Sequence, residues 1–400
     1  MTLRYSTDIV IFGGGVAGLW LLNRLINDGY HPLLFETGAL GGGQTLASQG
    51  IIHGGLKYAL SGTLTGAANV IAGMPAYWRS CLSGKGDLDL TGVPILCDHY
   101  YMWSDGSLRS KLKTFLGSKS LVGRVEAIAR SDYPEFFSHE SAEGTLYKLP
   151  DFVVDTDELL KRLASTVTNN LFALDEGNYQ FTKNPANGKC HLLISCKDKL
   201  IEIAAEQFVF CAGEGNAKFI EQTGIESAAA QIRPLHMVYL KQVNLPQLFV
   251  HCVGDDFSLT PKLTVTSHTD IHGQTVWYLG GDLAEKGVNK DSETQIAAAQ
   301  HLLAKLFPWI DTSEASWGSF LINRAEANIK NNYRPDDAFI ASESNMIFAW
   351  PTKLTLTPSM ADKVVNTIKE ESTTAIDSSD ALNTLRELLD KPEAASAYWN

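Results

Sequence analysis

The stretch from Asp8 to Glu36 constrains the fold more than any other part of this chain. It reads D-I-V-I-F, then G-G-G-V-A-G, then an apolar-periodic run, then P-L-L-F-E. That is strand, glycine turn, helix and second parallel strand in one βαβ unit. Gly13, Gly15 and Gly18 stand at G-x-G-x-x-G spacing. The first glycine permits the sharp turn, the second lets backbone approach a pyrophosphate with no Cβ in the way, and the third lets helix pack close to strand. Val16 and Ala17 open the helix, whose N-terminus faces the phosphates. Leu19, Leu22, Leu25 and Ile26 form its apolar stripe, and Gly29 is a natural stop. The strand His31 to Phe35 then delivers Glu36 where a carboxylate can accept from ribose hydroxyls. A lone motif of this kind is weak evidence, but here the preceding strand, the following helix and the acid at the expected distance all accompany it. The stretch is a dinucleotide site.

Four hundred residues exceed what one core usually supports, so about two domains are expected. Apolar residues make up 44% and charged residues 20%, the balance of a soluble globular protein, and no apolar run approaches the ~20 residues that span a bilayer. The first nucleotide strand begins almost at residue 1, which leaves no room for a secretory leader, and a cytoplasmic location is expected. Contact with a membrane surface and the oligomeric state stay open. A net charge of -12 and a pI near 5.3 argue against nucleic acid as a partner, because phosphate binding needs a basic face. The one basic cluster, Arg109, Lys111, Lys113 and Lys119, reads as a solvated face or loop, with a local anion or partner patch as the alternative. Six cysteines, Cys81, Cys97, Cys190, Cys196, Cys211 and Cys252, include no C-x-x-C pair and no zinc-like spacing. They read as free thiols, and no metal site is expected.

After Glu36 comes a segment rich in glycine and small polar residues, T-G-A-L-G-G-G-Q-T-L-A-S-Q-G, followed by I-I-H-G-G-L-K-Y. A flexible linker would not lead into such a run. The segment reads instead as one that wraps a ligand through backbone N–H groups and the side chains of Thr45, Ser48 and Gln49. Thr37, Gln44, Gly50 and Gly54 belong to the same expected lining.

Leu46 to Tyr58, L-A-S-Q-G-I-I-H-G-G-L-K-Y, resembles the H-G-G-L-R-Y region of FAD-dependent glycerol-3-phosphate dehydrogenases and, more broadly, flavoproteins of the D-amino-acid oxidase type. Three later segments agree. Asp151 to Leu163 resembles the short strand and helix that re-enter the FAD domain. Gln207 to Asn216, Q-F-V-F-C-A-G-E-G-N, resembles the strand that ends in A-G, here Ala212 and Gly213, close to the dinucleotide. Trp350 to Met360, W-P-T-K-L-T-L-T-P-S-M, resembles the closing segment along the flavin ring, with Lys353, Leu354 and Thr355 matching a G-K-L-T element. The resemblance implies an α/β fold of mixed α+β character: a Rossmann-like FAD-binding domain with an inserted antiparallel-sheet substrate domain, glutathione-reductase-2-like. The FAD-binding domain would comprise 1–76, 150–230 and 318–400, and the substrate domain 77–149 and 231–317.

The intervening residues fit that division. Met237 to Lys241, Leu263 to Thr266 and Thr275 to Leu279 read as strands, and Ile271 to Gln274 as a hairpin turn. Ser292 to Phe307 reads as a helix with Ile296, Leu302, Leu303 and Leu306 on its apolar side and Pro308 after it. FAD is favoured over NAD because residues 60–149 do not continue the strand–helix alternation of a nicotinamide domain.

A flavin accepts a hydride from a C–H bond next to an amine or hydroxyl, so the protein must orient that bond, exclude water and stabilise the negative charge of the reduced ring. By the resemblance, Lys353 supplies that charge. His53 lies in the flavin-facing segment as a base, a hydrogen-bond donor or a covalent flavin link of the kind some dimethylglycine-type dehydrogenases use; the glycerol-phosphate resemblance favours a noncovalent flavin. Tyr58 lines the same cavity or the core. The family holds an anionic substrate with an arginine in G-L-R-P, and here that pattern is split between Arg324, in L-I-N-R-A-E, and Arg334, in N-Y-R-P-D-D. Arg324 is favoured because D-D-A-F-I-A follows as D-G-x-P-I-I-G does in the family. The chain is therefore expected to be an FAD-dependent oxidoreductase acting on a C–N or C–OH bond of a small anionic metabolite. An NAD-dependent dehydrogenase and a subunit with structural FAD are the alternatives.

Overall fold

A computed structural model describes residues 2–55, 66–105, 125–253, 260–329, 335–371, 376–377 and 379–400. Tyr58, Arg334 and the basic cluster from Arg109 to Lys119 lie outside the described residues. The chain is mixed α/β and builds two eight-stranded sheets and a three-stranded one.

The first sheet is centred on Thr2–Phe12, which lies parallel to Leu33–Glu36 on one side and to Lys199–Phe210 on the other. Ile9, Val10, Ile11 and Phe12 are all fully buried, the continuous apolar run of a parallel strand covered on both faces. The strand Lys199–Phe210 is long enough to serve two partners along one edge. Its first half pairs antiparallel with Cys190–Cys196, and its last residues pair parallel with Met346–Trp350. One face of the sheet is covered by the helices Val16–Asn27, Gly66–Leu82, Thr156–Ser165 and Thr357–Glu370, whose Trp20, Trp78, Leu160 and Val364 share one core. The other face carries stacked phenylalanines, Phe12 on Phe210 and Phe210 on Phe348, with ring centroids 5.4 and 4.4 Å apart.

The second sheet runs in the order Ser316–Ala327, Ala230–Lys241, Thr275–Gly280, Leu263–Thr269, Val250–Val253, Tyr100–Asp105, Gly144–Leu149 and Glu126–Ala127. Its pairings are antiparallel except one. Val250–Val253 lies parallel to Tyr100–Asp105, and this junction joins the two stretches that sequence placed in one unit. In the hairpin between Leu263–Thr269 and Thr275–Gly280, the Asp270 carboxylate accepts from the His272 and Gln274 N–H groups, with Gly273 at φ +77°. Two boundaries differ from expectation. The sheet continues past residue 317, because Ser316–Ala327 pairs along its whole length with Ala230–Lys241. Residues just after 76, including Trp78 and Cys81, pack in the core of the first sheet instead, since the helix Gly66–Leu82 runs unbroken through that point.

The strand Phe152–Val154 does not join the first sheet; it pairs with Ile51–Ile52 and Ile95–Cys97 in the small sheet. The helix Thr156–Ser165 follows it, with the Asp155 carboxylate accepting from the Asp157 and Glu158 N–H groups. Helix Ser292–Leu306 is rotated from its expected face. Gln295, Ala299, Leu303 and Leu306 are its buried residues, because the Gln295 amide donates to the carbonyls of His236 and Leu283, while Ile296 and Leu302 pack at the margin. All six cysteines are free. Among the described residues no helix is long and apolar enough to cross a membrane.

Candidate functional site

The three glycines of the first turn are distinguished by what surrounds them. Gly13 sits at φ +108°, and a Cβ there would lie 2.7 Å from the backbone of Cys211 and Ala212. A Cβ on Gly18 would lie 1.9 Å from the Gly13 carbonyl oxygen, so helix and turn touch through that position. Gly15 differs: among the described residues, the one atom near its absent Cβ is Thr45 Oγ1, at 3.1 Å. The first and third glycines serve the fold, and the second leaves backbone bare toward a cavity of about 790 Å³. The volume is in the range of small-molecule and cofactor sites.

Glu36 ends its strand at the rim of this cavity. Its carboxylate accepts from the N–H of Gly14 and, at 2.7 Å, from that of Gly38, which fixes the group while leaving lone pairs for a further donor. The glycine-rich arm follows. Thr45 Oγ1 accepts from the Val16 N–H at 3.0 Å, so it tethers the arm to the first turn of the nucleotide helix. Gln44 Oε1 accepts from the Ala325 N–H at 2.9 Å, and thereby joins the arm to the second sheet. Gln49 does the same more extensively, since its amide donates to the carbonyls of Tyr278 and Thr264 and to Thr266 Oγ1, at 2.9, 3.4 and 3.3 Å.

Two cationic residues, Arg324 and Lys353, also line the cavity. Arg324 lies on the edge strand of the second sheet, half-buried, with Nε donating to the Arg233 carbonyl at 3.2 Å and Nη1 paired with Glu285 at 3.3 Å. Lys353 comes from the turn after Met346–Trp350. Thr352 within that turn has φ +64°, and the Lys353 N–H donates to the Pro351 carbonyl at 2.7 Å. This is the strained, positive-φ form of the γ-turn, adopted by a β-branched residue. Strain of that kind collects at functional walls, and the Thr352 hydroxyl secures it by donating to the Asp337 carbonyl at 3.2 Å.

The cavity wall therefore assembles Gly13, Gly15, Val16, Ala17, Glu36, Gln44, Thr45, Ser48, Gln49, Ala212, Gly213, Arg324, Lys353 and Leu354. Other expected residues stand outside it. Gly18 packs helix on turn, and Thr37 is exposed beyond the rim. Gly50, at φ +70°, abuts the Val154 carbonyl, where a Cβ would be 2.2 Å away. His53 is half-buried next to the cavity, and its backbone N–H and carbonyl both bond the buried Thr355 hydroxyl, at 3.3 and 3.2 Å. Its Nδ1 accepts from the Gly55 N–H at 3.2 Å. Gly54 donates to Asp151 Oδ1 at 2.9 Å. That carboxyl is 4% exposed, and burial pushes its pKa up to about 6.

Several wall residues carried no mark in the sequence as individual site residues. Gly41, Gly42 and Gly43 were visible only as a glycine-rich run, and Leu235, Met237, Ile322 and Asn323 come from the second sheet, whose register no local pattern encodes. Ala395 arrives from a segment far along the chain. Asp151 opens a segment recognised for its strand and helix, yet a lone aspartate before a strand gives no hint of burial.

The comparisons with known proteins agree with this geometry. The probable FAD-dependent oxidoreductase PA4991 of Pseudomonas aeruginosa is 44% identical over 372 residues, covering 93% of each chain. Its crystal structure matches with a TM-score of 0.83 at 37% identity, over 100% of this chain and 99% of that one. At lower identity the fold is shared with glycine oxidase of Geobacillus kaustophilus, with TM-score 0.64, 16% identity and coverage of 94% and 98%. It is shared as well with L-α-glycerophosphate oxidase of Mycoplasma pneumoniae, solved with FAD bound, with TM-score 0.65, 12% identity and coverage of 91% and 95%. Residues 8–350 match the family described as DAO, FAD dependent oxidoreductase. The nicotinamide alternative falls with that match, and the chain belongs to this family of FAD-dependent oxidoreductases.

Proposed function

We propose that this chain oxidises a C–N or C–OH bond of a small anionic metabolite at the end of the cavity where Arg324 and Lys353 meet the nucleotide cradle. One observation carries the reading: the same cavity is lined by Gly15 and by two cationic residues, Arg324 and Lys353. The residues fit FAD. Gly15 puts no side chain into the cavity, the nucleotide helix begins there with its Val16 N–H held by Thr45, and the Glu36 carboxylate is fixed at the rim. When bound, FAD supplies the hydride acceptor. Arg324 would hold the substrate anion, since a guanidinium already oriented by Glu285 and the Arg233 carbonyl offers its charge in a set direction. Lys353, carried on the strained turn, would place positive charge where negative charge develops. The walls from Leu235, Met237 and Ile322 would exclude water.

The test is an anaerobic screen of amino acids, hydroxy acids and glycerol phosphate that watches the flavin bleach, repeated on Arg324→Ala. Loss of a charge-assisted pair costs about 2–5 kcal/mol, so flavin reduction should slow by roughly 30-fold to several thousand-fold while FAD stays bound. Arg334→Ala is the control. If it is crippled while Arg324→Ala reduces its flavin normally, the anion-holding role belongs to Arg334. Normal reduction in both removes the case for an anionic substrate. No bleaching by any metabolite would favour a structural FAD.

A further inference from the structure

The segment 390–400 makes contacts that neither the nucleotide cradle nor the substrate wall requires. It leaves the edge of the first sheet, where the Ala173 N–H donates to the Asp390 carbonyl at 2.8 Å. It then runs beside the glycine-rich arm, with the Leu40 N–H donating to the Glu393 carbonyl at 2.7 Å and the Ala395 N–H donating to the Leu40 carbonyl at 3.0 Å. Leu40 is itself pressed onto the first glycine turn: a Cβ on Gly14 would be 2.3 Å from its side chain, and the next N–H, of Gly41, donates to the Gly14 carbonyl. One short piece of arm is thus held by the nucleotide turn on one side and by this segment on the other.

Beyond Ala395 the segment crosses to the second sheet. Tyr398 stacks on Phe320 with centroids 3.8 Å apart and planes at 3°, and its hydroxyl donates to the Gly42 carbonyl at 3.4 Å. Trp399 is 4% exposed and packs with Tyr278, Val276 and Met237, the last of which also lines the cavity. The Asn400 side-chain oxygen accepts from the Ile271 N–H at 3.1 Å. The path therefore ties together the first sheet, the arm over the cavity and the second sheet.

We infer that residues 390–400 are a clasp that retains FAD by holding the glycine-rich arm closed over it. The arm forms one wall of the cavity from Gly38 to Thr45, so a bound dinucleotide leaves most directly when that wall lifts. Lifting it breaks the two backbone bonds at Leu40 and pulls on a segment anchored by two aromatic rings. The clasp should act on the dissociation rate of FAD far more than on the chemistry of substrate oxidation.

The proposal rests on the cavity as the FAD site, and the two can fail separately: a parent protein that never holds FAD overturns the site, whereas an unchanged release rate overturns the clasp. The measurement is FAD release after dilution, followed by the rise of flavin fluorescence. Tyr398→Ala with Trp399→Ala in the full chain should release FAD at least about tenfold faster. A second double variant works in the opposite direction and does not depend on the first one folding. A Cβ on Gly42 would stand 3.6 Å from the Ala395 Cβ, within the usual range for a disulfide. Gly42→Cys with Ala395→Cys, once oxidised, should release FAD at least about tenfold more slowly than the same variant with the bond reduced. Equal rates in the oxidised and reduced forms, or failure of the pair to close under oxidation, overturns the clasp. So does a folded Tyr398→Ala, Trp399→Ala variant whose release rate stays within twofold of the parent.

Discussion

At the scale of single residues, the glycine turn makes the sharpest distinction, because three glycines of one motif should fail in different ways. Gly15 has φ -78° and ψ -179°, extended backbone that any residue adopts, and among the described residues only Thr45 Oγ1 lies near its absent Cβ. Gly15→Val should leave the apo protein folded, with a smaller fall in melting temperature than Gly18→Ala because only Thr45 Oγ1 has to give way, and abolish FAD binding. Gly18→Ala places a Cβ 1.9 Å from the Gly13 carbonyl and should destabilise the fold itself, by more than about 2 kcal/mol. Calorimetry of the apo proteins beside a flavin titration checks both, and equal destabilisation would show that the motif is purely structural. His53 gives a second prediction. Its Nδ1 accepts from the Gly55 N–H and its backbone bonds Thr355, so Nε2 is the nitrogen a covalent link would need, and the resemblance to the glycerol-phosphate branch argues against such a link. The yellow colour should therefore pass to the supernatant on acid precipitation, and colour left in the pellet would refute noncovalent attachment.

At the scale of elements, the joint between the small sheet and the His53 segment contains a buried acid with a measurable signature. Asp151 is shielded from water and accepts from the Gly54 N–H, and burial raises its pKa from the ordinary 3.8 to about 6. The sign follows directly. A carboxyl that binds its proton more tightly when folded carries no ionisation penalty below about pH 4, acquires it as pH rises toward 6, and carries it in full above. Asp151→Asn keeps an acceptor for Gly54 and cannot ionise. Its stability relative to the parent should rise by about 3 kcal/mol between pH 4 and pH 7 and then level off, read from denaturant midpoints across that range. A flat difference would mean that Asp151 stays solvated. The strand and helix around this residue were expected from the resemblance of Asp151 to Leu163 to the family's segment. Sequence could not show that Phe152–Val154 leaves the main sheet to pair with Ile51–Ile52, since no local pattern names a partner about 100 positions away. The same limit explains helix Ser292–Leu306: its period was legible, but the buried Gln295 that sets its face depends on carbonyls contributed by other elements.

At the scale of the molecule, the nucleotide unit was readable because strand, turn, helix and acid all lie within thirty consecutive positions, whereas the joining of the two large sheets was not. The arm is one part of that joint, and Gln49 shows how it works. Sequence placed it among cofactor ligands. It does line the cavity, but its amide is committed to Tyr278, Thr266 and Thr264 in the second sheet, and the Tyr278 hydroxyl returns a bond to the Ala47 carbonyl at 2.7 Å. Thr264 and Thr266 are buried, so Gln49→Leu would leave acceptors without their donor inside the interface, a cost of about 1–3 kcal/mol. The apo midpoint should fall by that amount. Because the displaced arm also forms the cavity wall, the rise in midpoint produced by added FAD should shrink without vanishing, in contrast to Gly15→Val, where the rise disappears. Thermal unfolding of the apo and FAD-saturated forms separates the two patterns. An apo midpoint equal to the parent's would show that the sheets are joined without Gln49, leaving it the cofactor ligand that the sequence suggested.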